Sequence, residues 1–397
     1  MALRPSNVLF VVFVASAVLL LAGRAAVTVR DAELSDFRCF YEAGRLVRGG
    51  FDPYDPAIWA TATKQDPTRL PPCPDTFAYP LWTAMAMAPL SVLTEPAALG
   101  AWEVVLFASL VGGVAMLARA WPMLGDAKML LPIVLWSQPA FSAIANAQLG
   151  PVVFVGLAAL ALFLERGRER AGAAAWCVLL IKPNIVAIAL LGVPLFRSRR
   201  FAAYVALFGL GILLLSLALV PTWPVDVARV ILGQQLLADR DLGTLSAFAI
   251  VLGLPSAVGA AAAVLTCVLF VAVLPRRRLR PRELVAVLAA SSFLVTPYAR
   301  PHDEVALAVC WASALALARI VEGRLRSALV GAVIVVAFVL PWLLTIMSLL
   351  GAPLAAHVLV TLATAALTAY ALRRLGPLLG AQSAPISLPS TTARTSR

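Results

Sequence analysis

The chain has 397 residues, of which 61% are hydrophobic and only 13% are charged, and its mean hydropathy is +0.91. A water-soluble domain needs about a quarter charged residues to cover its surface, so this composition excludes a soluble globular protein. The net charge of +12 would suit nucleic acid, but the arginines cluster in short runs between apolar stretches. That pattern is typical of cytoplasmic loops under the positive-inside rule. We therefore predict an all-α polytopic membrane protein that binds no nucleic acid.

Apolar stretches predict about ten membrane spans, since each span takes about 17–25 residues. The predicted spans are residues 8–28, 97–118, 128–146, 149–165, 201–221, 246–274, 283–298, 303–321, 327–349 and 353–372. The first follows a short basic start, as a signal peptide does, but its length favours a retained anchor.

The basic runs fall on alternate connections, which predicts that both termini are cytoplasmic. Residues 29–95 are then a long first outer loop with interfacial helices, and residues 222–245 and 298–302 are also outside. Residues 1–374 are predicted to form one transmembrane domain. Residues 375–397 are rich in Ser, Thr and Pro, which predicts a disordered cytoplasmic tail.

Residues 171–196 do not fit this alternation, because the basic runs on both sides of them favour the cytoplasm. In their middle, Pro183 disfavours a continuous helix and Lys182 is costly in lipid. We predict two short half-helices with a re-entrant tip at Lys182, lining a site. The lysine needs an anion. A substrate phosphate, a structural carboxylate or snorkelling to the interface would each satisfy it.

Acids and tyrosines of the first outer loop are candidate site residues. Asp36 comes soon after the first span, where a lipid-linked substrate presents its head group, and it could act as a general base. The alternative is a helix N-cap or a solvated acid. Tyr54 and Tyr79 could stack on a sugar or anchor at the interface. Cys39 and Cys73 share this loop, and they could form a disulfide or remain unrelated thiols.

Two further polar groups lie at predicted outer turns. Asn146 and Gln148 join two apolar spans and could bind sugar hydroxyls or cap the helix ends. Arg300 and His302 are donors suited to phosphate oxygens. The other histidine, His357, lies in an apolar stretch, and we expect it only to pack.

These segments together resemble a known family, the family 87 glycosyltransferases, multi-spanning enzymes of GT-C type. The resemblance covers roughly residues 30–310, in the order SDFRCFYEAG, GGFDPYDP, FAYP, NAQLG, IKPN and TPYARPHD. It implies a GT-C-type bundle of about 10–12 transmembrane helices. Related sequences often have Gly where this chain has Ala147, and often YPP where it has Tyr79-Pro80-Leu81. The later loop commonly has Ser-Pro and a tryptophan, where this chain has Thr296 and Arg300.

The resemblance also implies an activity. Members are similar to polyprenyl-phosphate-mannose-dependent α-mannosyltransferases of bacterial envelopes, which invert at the anomeric carbon and act on the extracytoplasmic side of the plasma membrane. Asp36 matches the expected base, Lys182 matches the lysine of the IKP segment, and His302 matches a polar position of the later loop. Mannose is the favoured sugar, with arabinose and glucose as alternatives. The expected acceptor is an envelope glycolipid or glycan, and a protein acceptor stays open.

The hypothesis requires no cofactor and no metal. The leaving phosphate is already a stable anion, so no general acid is needed, unlike glycoside hydrolysis. Lys182, Arg300 and His302 are the candidates for stabilising its growing charge. The alternative hypothesis is a transporter or flippase of a lipid-linked or anionic substrate, because broken helices and intramembrane charge also suit transporters.

Overall fold

A computed structural model describes residues 5–30, 35–63, 73, 77–124, 129–233, 242–275 and 279–382. Every regular element among them is a helix, which confirms the all-α prediction. The parts of the predicted outer loops at residues 64–72 and 234–241, and the tail beyond Gln382, lie outside the described residues.

Many consecutive helices are joined by short turns. In chain order they are α1 (Pro5–Arg30), α2 (Phe37–Arg48), α3 (Pro56–Thr63), α4 (Leu81–Met87), α5 (Glu95–Ala120), α6 (Leu130–Trp136), α7 (Gln138–Ala145), α8 (Gly150–Glu165), α9 (Glu169–Leu179), α10 (Ala187–Phe196), α11 (Arg199–Leu219), α12 (Trp223–Gly233), α13 (Leu245–Val251), α14 (Ser256–Ala272), α15 (Pro281–Val295), α16 (Ala308–Ile320), α17 (Gly323–Ile334), α18 (Leu340–Leu349) and α19 (Val358–Gln382). Single 3-10 segments include Pro183–Val186 before α10 and Pro301–Leu307 before α16.

Five helical segments of the described chain are long and apolar enough to cross a membrane. They are Phe10–Arg30, Glu95–Ala120, Arg199–Leu219, Gly323–Leu349 and Leu354–Leu375. The fourth runs through α17 and α18, with a π-helical turn between them. Shorter apolar helices include α8 and α14. The protein is thus a polytopic membrane protein, as predicted.

The centre of the bundle consists of α8, α15 and α16, whose residues are nearly all buried. These helices are apolar on all sides, as buried helices are. Small residues allow close packing, which is how helices associate in lipid. A Cβ on Gly113 of α5 would lie 2.4 Å from the ring of Phe154 of α8.

Several predicted spans are broken into two helices, so those predictions are wrong in detail. The span at 128–146 ends one helix at Trp136 and begins another at Gln138. Ser137 between them is extended and caps the second helix, and Pro139 has no N–H with which to continue the first one. The span at 246–274 breaks at residues 252–255, where Gly253 has a φ of +77° and Pro255 follows. The tail prediction is also wrong at its start, since α19 continues through residues 375–382.

The predicted break within 171–196 is present in the structure. Helix α9 ends at Leu179, and α10 begins at Ala187 after a 3-10 turn that opens with Pro183. Lys182 lies in the connection between the two half-helices. The sequence located this break correctly because proline and a lysine adjoin within an otherwise apolar stretch.

The predicted first outer loop contains a disulfide between Cys39 of α2 and Cys73, whose Cα atoms are 5.4 Å apart. This resolves the choice that the sequence left open. Helix α2 packs tightly on α4, since a Cβ on Gly44 would lie 2.8 Å from the Met87 carbonyl carbon. The disulfide and this packing together fix the helix that begins directly after Asp36.

Replacing both Cys39 and Cys73 with serine should lower the free energy of unfolding by about 3–4 kcal/mol, because the bridge closes a loop of 34 residues. Thermal unfolding of the purified protein in detergent, with and without reductant, measures this. Cys267→Ser, at a half-buried free thiol, is the control. A wild-type melting temperature that reductant leaves unchanged would contradict the prediction.

Candidate active site

Four chain segments that are distant in sequence converge on one polar cluster. The Asp36 carboxylate Oδ2 accepts a hydrogen bond from Gln148 Nε2. Gln148 Oε1 lies 3.5 Å from Lys182 Nζ, and Lys182 Nζ donates to Asp303 Oδ1 at 2.6 Å. His302 Nε2 lies 3.8 Å from the same Asp303 oxygen. The structure thus joins four predicted site residues in one chain of contacts and adds Asp303 to them.

The ion pair between Lys182 and Asp303 is completely enclosed, with side-chain exposures of 1% and 0%. It identifies a carboxylate as the anion that the buried lysine requires. Asp303 Oδ2 also accepts from the Arg300 backbone N–H at 3.1 Å. The sequence showed Asp303 only as one acid of a polar turn. The residue that needed a partner lies 121 positions away, and no local pattern connects the two.

Asp36 occupies the N-cap position of α2, but its side chain makes no capping hydrogen bond. The alternative that it serves as an N-cap is therefore not what the structure shows. One carboxylate oxygen is engaged by Gln148. Among the described residues, no hydrogen bond is made to the other oxygen, Oδ1.

The Asp36 carboxyl has a pKa above its ordinary value, mainly because it is buried. The hydrogen bond from Gln148 and the positive charges of Arg300 and Lys182 lower this pKa, and the negative charge of Asp303 raises it. The balance leaves a carboxylate with greater proton affinity than a solvated one. Such a shift, in a group with a specific charged neighbourhood, is typical of functional sites.

The turn that carries Gln148 is held from two helices. Ala147 has a φ of +50°, in the left-handed region, and its carbonyl accepts from the Trp102 indole N–H at 2.9 Å. The Ala145 carbonyl accepts from Arg24 at 3.3 Å. These bonds from α5 and α1 fix a backbone conformation that alanine disfavours.

Ala147→Gly should stabilise the protein by about 0.5–1 kcal/mol, because glycine adopts the left-handed conformation without strain. Thermal unfolding in detergent measures the change. The same substitution at Ala143, inside α7, is the matched control and should destabilise by about 1 kcal/mol. A loss of stability on Ala147→Gly would show that the turn is not strained.

The connection between α9 and α10 is held by α4. Trp82 and Thr83 donate side-chain hydrogen bonds to the carbonyls of Leu180 and Ile181, at 2.6 and 2.9 Å. Carbonyls at the end of a helix have no partner within it. The two donors satisfy them and fix the backbone immediately before Lys182.

The two tyrosines have different positions. Tyr54 is buried, its hydroxyl donates to the Tyr79 carbonyl at 2.5 Å, and its ring packs on Phe77. It therefore supports Tyr79 and does not reach the cluster. Burial raises the pKa of the Tyr79 phenol, and the charge of nearby Lys182 opposes that rise. Tyr79 thus borders the polar cluster.

Asn146 and Arg300 also differ in their relation to the cluster. The Asn146 amide donates to the Ser142 carbonyl at 2.8 Å, at the C-terminal end of α7, so the structure does not bring it to Asp36. The Arg300 guanidinium lies 6.0 Å from the Tyr298 ring centroid, and its charge acts on the Asp36 carboxylate. Arg300 therefore belongs to the site and Asn146 borders it.

Gly150 allows the turn of residues 301–307 to approach α8. A Cβ at this glycine would lie 2.4 Å from the carbonyl oxygen of His302. Any larger residue would push the turn away, and the turn carries both His302 and Asp303. The glycine was not identified from the sequence, because its role depends on a contact with a distant segment.

The expectation that His357 only packs is wrong. Its Nδ1 lies 3.3 Å from Glu304 Oε2, and its Nε2 lies 3.3 Å from Thr345 Oγ1. His357 and Glu304 are both buried. They link the turn before α16 to α18 and α19. The site segment is therefore anchored on both sides by polar contacts.

The fold and this cluster define a polytopic helical membrane protein with a buried charged site. A family model described as glycosyltransferase family 87 matches residues 77–297, more than half of the chain. The chain therefore belongs to glycosyltransferase family 87, which confirms the resemblance drawn from its motifs. No curated protein and no solved structure matches it. The protein is a membrane glycosyltransferase.

The match covers only part of the site. It includes the turn with Gln148 and the tip with Lys182, and it ends before Arg300 and His302 and begins after Asp36. Family membership therefore rests on the centre of the chain. The roles of the residues outside that range rest on their geometry.

Proposed function

We propose that this glycosyltransferase moves a hexose, with mannose favoured, from a polyprenyl-phosphate donor to an envelope glycolipid or glycan. The observation that carries the proposal is a part-buried carboxylate, Asp36, with one oxygen held by Gln148, beside a cluster of cationic side chains. Sugar transfer from a phosphate donor requires a base that takes the acceptor proton and groups that stabilise the anionic leaving group.

In the proposed step, an acceptor hydroxyl attacks the anomeric carbon from the face opposite to the phosphate. The new bond joins the acceptor oxygen to that carbon, and the bond from the carbon to the phosphate oxygen breaks. Asp36 takes the hydroxyl proton, and the donor leaves as a polyprenyl monophosphate. The stereochemistry at the carbon inverts. Oδ1 is the oxygen that supports this role, because Gln148 occupies Oδ2.

The cations divide into two roles in this proposal. Lys182 is neutralised by Asp303, so it orients Gln148 and sets the local charge balance. The charge of Arg300 acts on the Asp36 carboxylate, and with His302 it is the candidate for binding the phosphate. Tyr79 borders the cluster and is the candidate for contacting the sugar.

The position of the site supports activity on the extracytoplasmic side of a bacterial plasma membrane, with both termini cytoplasmic. The disulfide of Cys39 lies in the helix that follows Asp36, and disulfides form in oxidising compartments. The arginine run 166–170 follows the opposite end of α8, which is typical of the cytoplasmic face.

Asp36→Asn should lower sugar transfer by about 10²–10⁴-fold, because asparagine cannot accept the proton. The measurement is label transferred from radiolabelled polyprenyl-phosphate mannose to a new glycolipid or glycan in membranes. Asp226→Asn, in α12, makes the same change at a residue that pairs only with nearby Arg229 among the described residues, and it is the control. Full transfer by Asp36→Asn would remove it from the role, and transport without a new covalent product would favour a flippase.

The acid limb of kcat/KM should lie above the ordinary aspartate pKa of about 3.9, because burial raises the pKa of Asp36 and only its ionised form accepts a proton. Activity is thus lost as pH falls through the raised pKa. Gln148→Leu removes a contact that lowers this pKa, so the limb should move to higher pH. The Asn146 side-chain amide donates only to Ser142 among the described residues, so Asn146→Ala should leave the limb in place. An unmoved limb in Gln148→Leu would contradict the assignment.

A further inference from the structure

A second polar feature lies at the other end of α8 from the candidate active site. An open groove of about 680 Å³ lies where the loop after α8, the start of α9 and the start of α11 meet. We call it the arginine groove; its lining includes Arg168, Glu169, Arg170, Arg200, Tyr204 and Phe208. Helix α8 has 16 residues, so the groove is about 24 Å along the bundle from Gln148.

The charges of the arginine groove favour an anion. Three guanidinium groups and one carboxylate line it, so its lining carries a net positive charge. The carboxylate of Glu169 is already engaged by the Ser198 hydroxyl, and that contact ties the segment before α11 to the start of α9. Guanidinium groups bind phosphate oxygens through paired hydrogen bonds.

Next to these charges the groove is lined by two aromatic residues of α11, and the rest of that helix is mostly apolar. Tyr204 and Phe208 lie one turn apart on α11, with ring centroids 6.4 Å apart. On the same helix, Leu207, Leu210 and Leu214 are 63%, 53% and 57% exposed. Helix α11 is long enough to span the membrane and has little protein around it. A phosphate bound by the arginines and an acyl chain lying along α11 would match this arrangement.

We propose that the arginine groove binds the head group of an anionic phospholipid, in the leaflet opposite to the candidate active site. The bound phosphate bridges Arg168 and Arg170 at the start of α9 with Arg200 of α11. Because α9 leads directly to Lys182, the lipid holds the base of the re-entrant hairpin against a span. A purely topogenic role would explain arginines on this face, but it would not require a groove or an aromatic pair.

The proposal does not depend on the sugar-transfer reaction, and its test needs no activity assay. The thermal stability of the purified protein in detergent is measured while phosphatidylglycerol, phosphatidylcholine or inorganic phosphate is added. Phosphatidylglycerol should raise the melting temperature of the wild type at low concentration, and the other two should not. The double variant Arg170→Gln with Arg200→Gln should need about 25-fold more phosphatidylglycerol, about fivefold for each arginine.

The matched control is Arg324→Gln with Arg326→Gln, which removes the same charge from exposed residues at the start of α17. Its response to phosphatidylglycerol should stay within about twofold of the wild type. An equal loss of the response to phosphatidylglycerol in both double variants would show a general surface-charge effect and overturn the proposed site. Equal stabilisation by inorganic phosphate would assign the groove to a soluble anion. Equal stabilisation by phosphatidylcholine would exclude recognition of charge.

A second measurement locates the lipid even if a variant folds poorly. Wild-type protein is photolysed with a phosphatidylglycerol analogue that carries a photoreactive head group, and the labelled peptides are identified by mass spectrometry. Label should appear in the peptides around Arg168–Arg170 and Arg200–Phe208. Label confined to other peptides would overturn the proposal.

Discussion

The buried ion pair between Lys182 and Asp303 is the interaction on which the site depends. Neither charge could remain in an apolar bundle alone, because an uncompensated buried charge costs several kcal/mol, about 3–5 when one partner is removed. Their pairing brings together a break between two half-helices and the turn before α16. Gln148 then reaches Lys182 on one side and Asp36 on the other. The position of the candidate base therefore follows from how the bundle neutralises one lysine.

Much of this architecture could be predicted from the sequence. Composition alone established the membrane class, and the adjoining Lys182 and Pro183 located the break between α9 and α10, because both residues are unfavourable in a continuous apolar helix. Asp36 stood out as an acid placed soon after the first span. These inferences succeeded because each depends on residues that are neighbours in the sequence and on their polarity or backbone preference.

Other features could not be predicted, since they depend on contacts between distant segments. Asp303, Gly150 and His357 acquire their roles only when the turn before α16 packs against α8, against the connection between α9 and α10, and against the turn before α19. The breaks near Ser137 and Gly253 were missed because apolar residues on both sides continue the hydropathy pattern. The strain at Ala147 is likewise hidden, because the sequence does not show that this alanine has a positive φ.

The site segments share one further property, which concerns the backbone. Asp36, Gln148, Lys182 and Arg300 each lie at or just before the first turn of a helical segment. A helix start exposes unpaired N–H groups and carries the positive end of the helix dipole. The peptide backbone therefore adds its own positive potential where the polar side chains meet. This part of the electrostatic potential comes from the backbone, so it persists whichever cationic side chain is replaced.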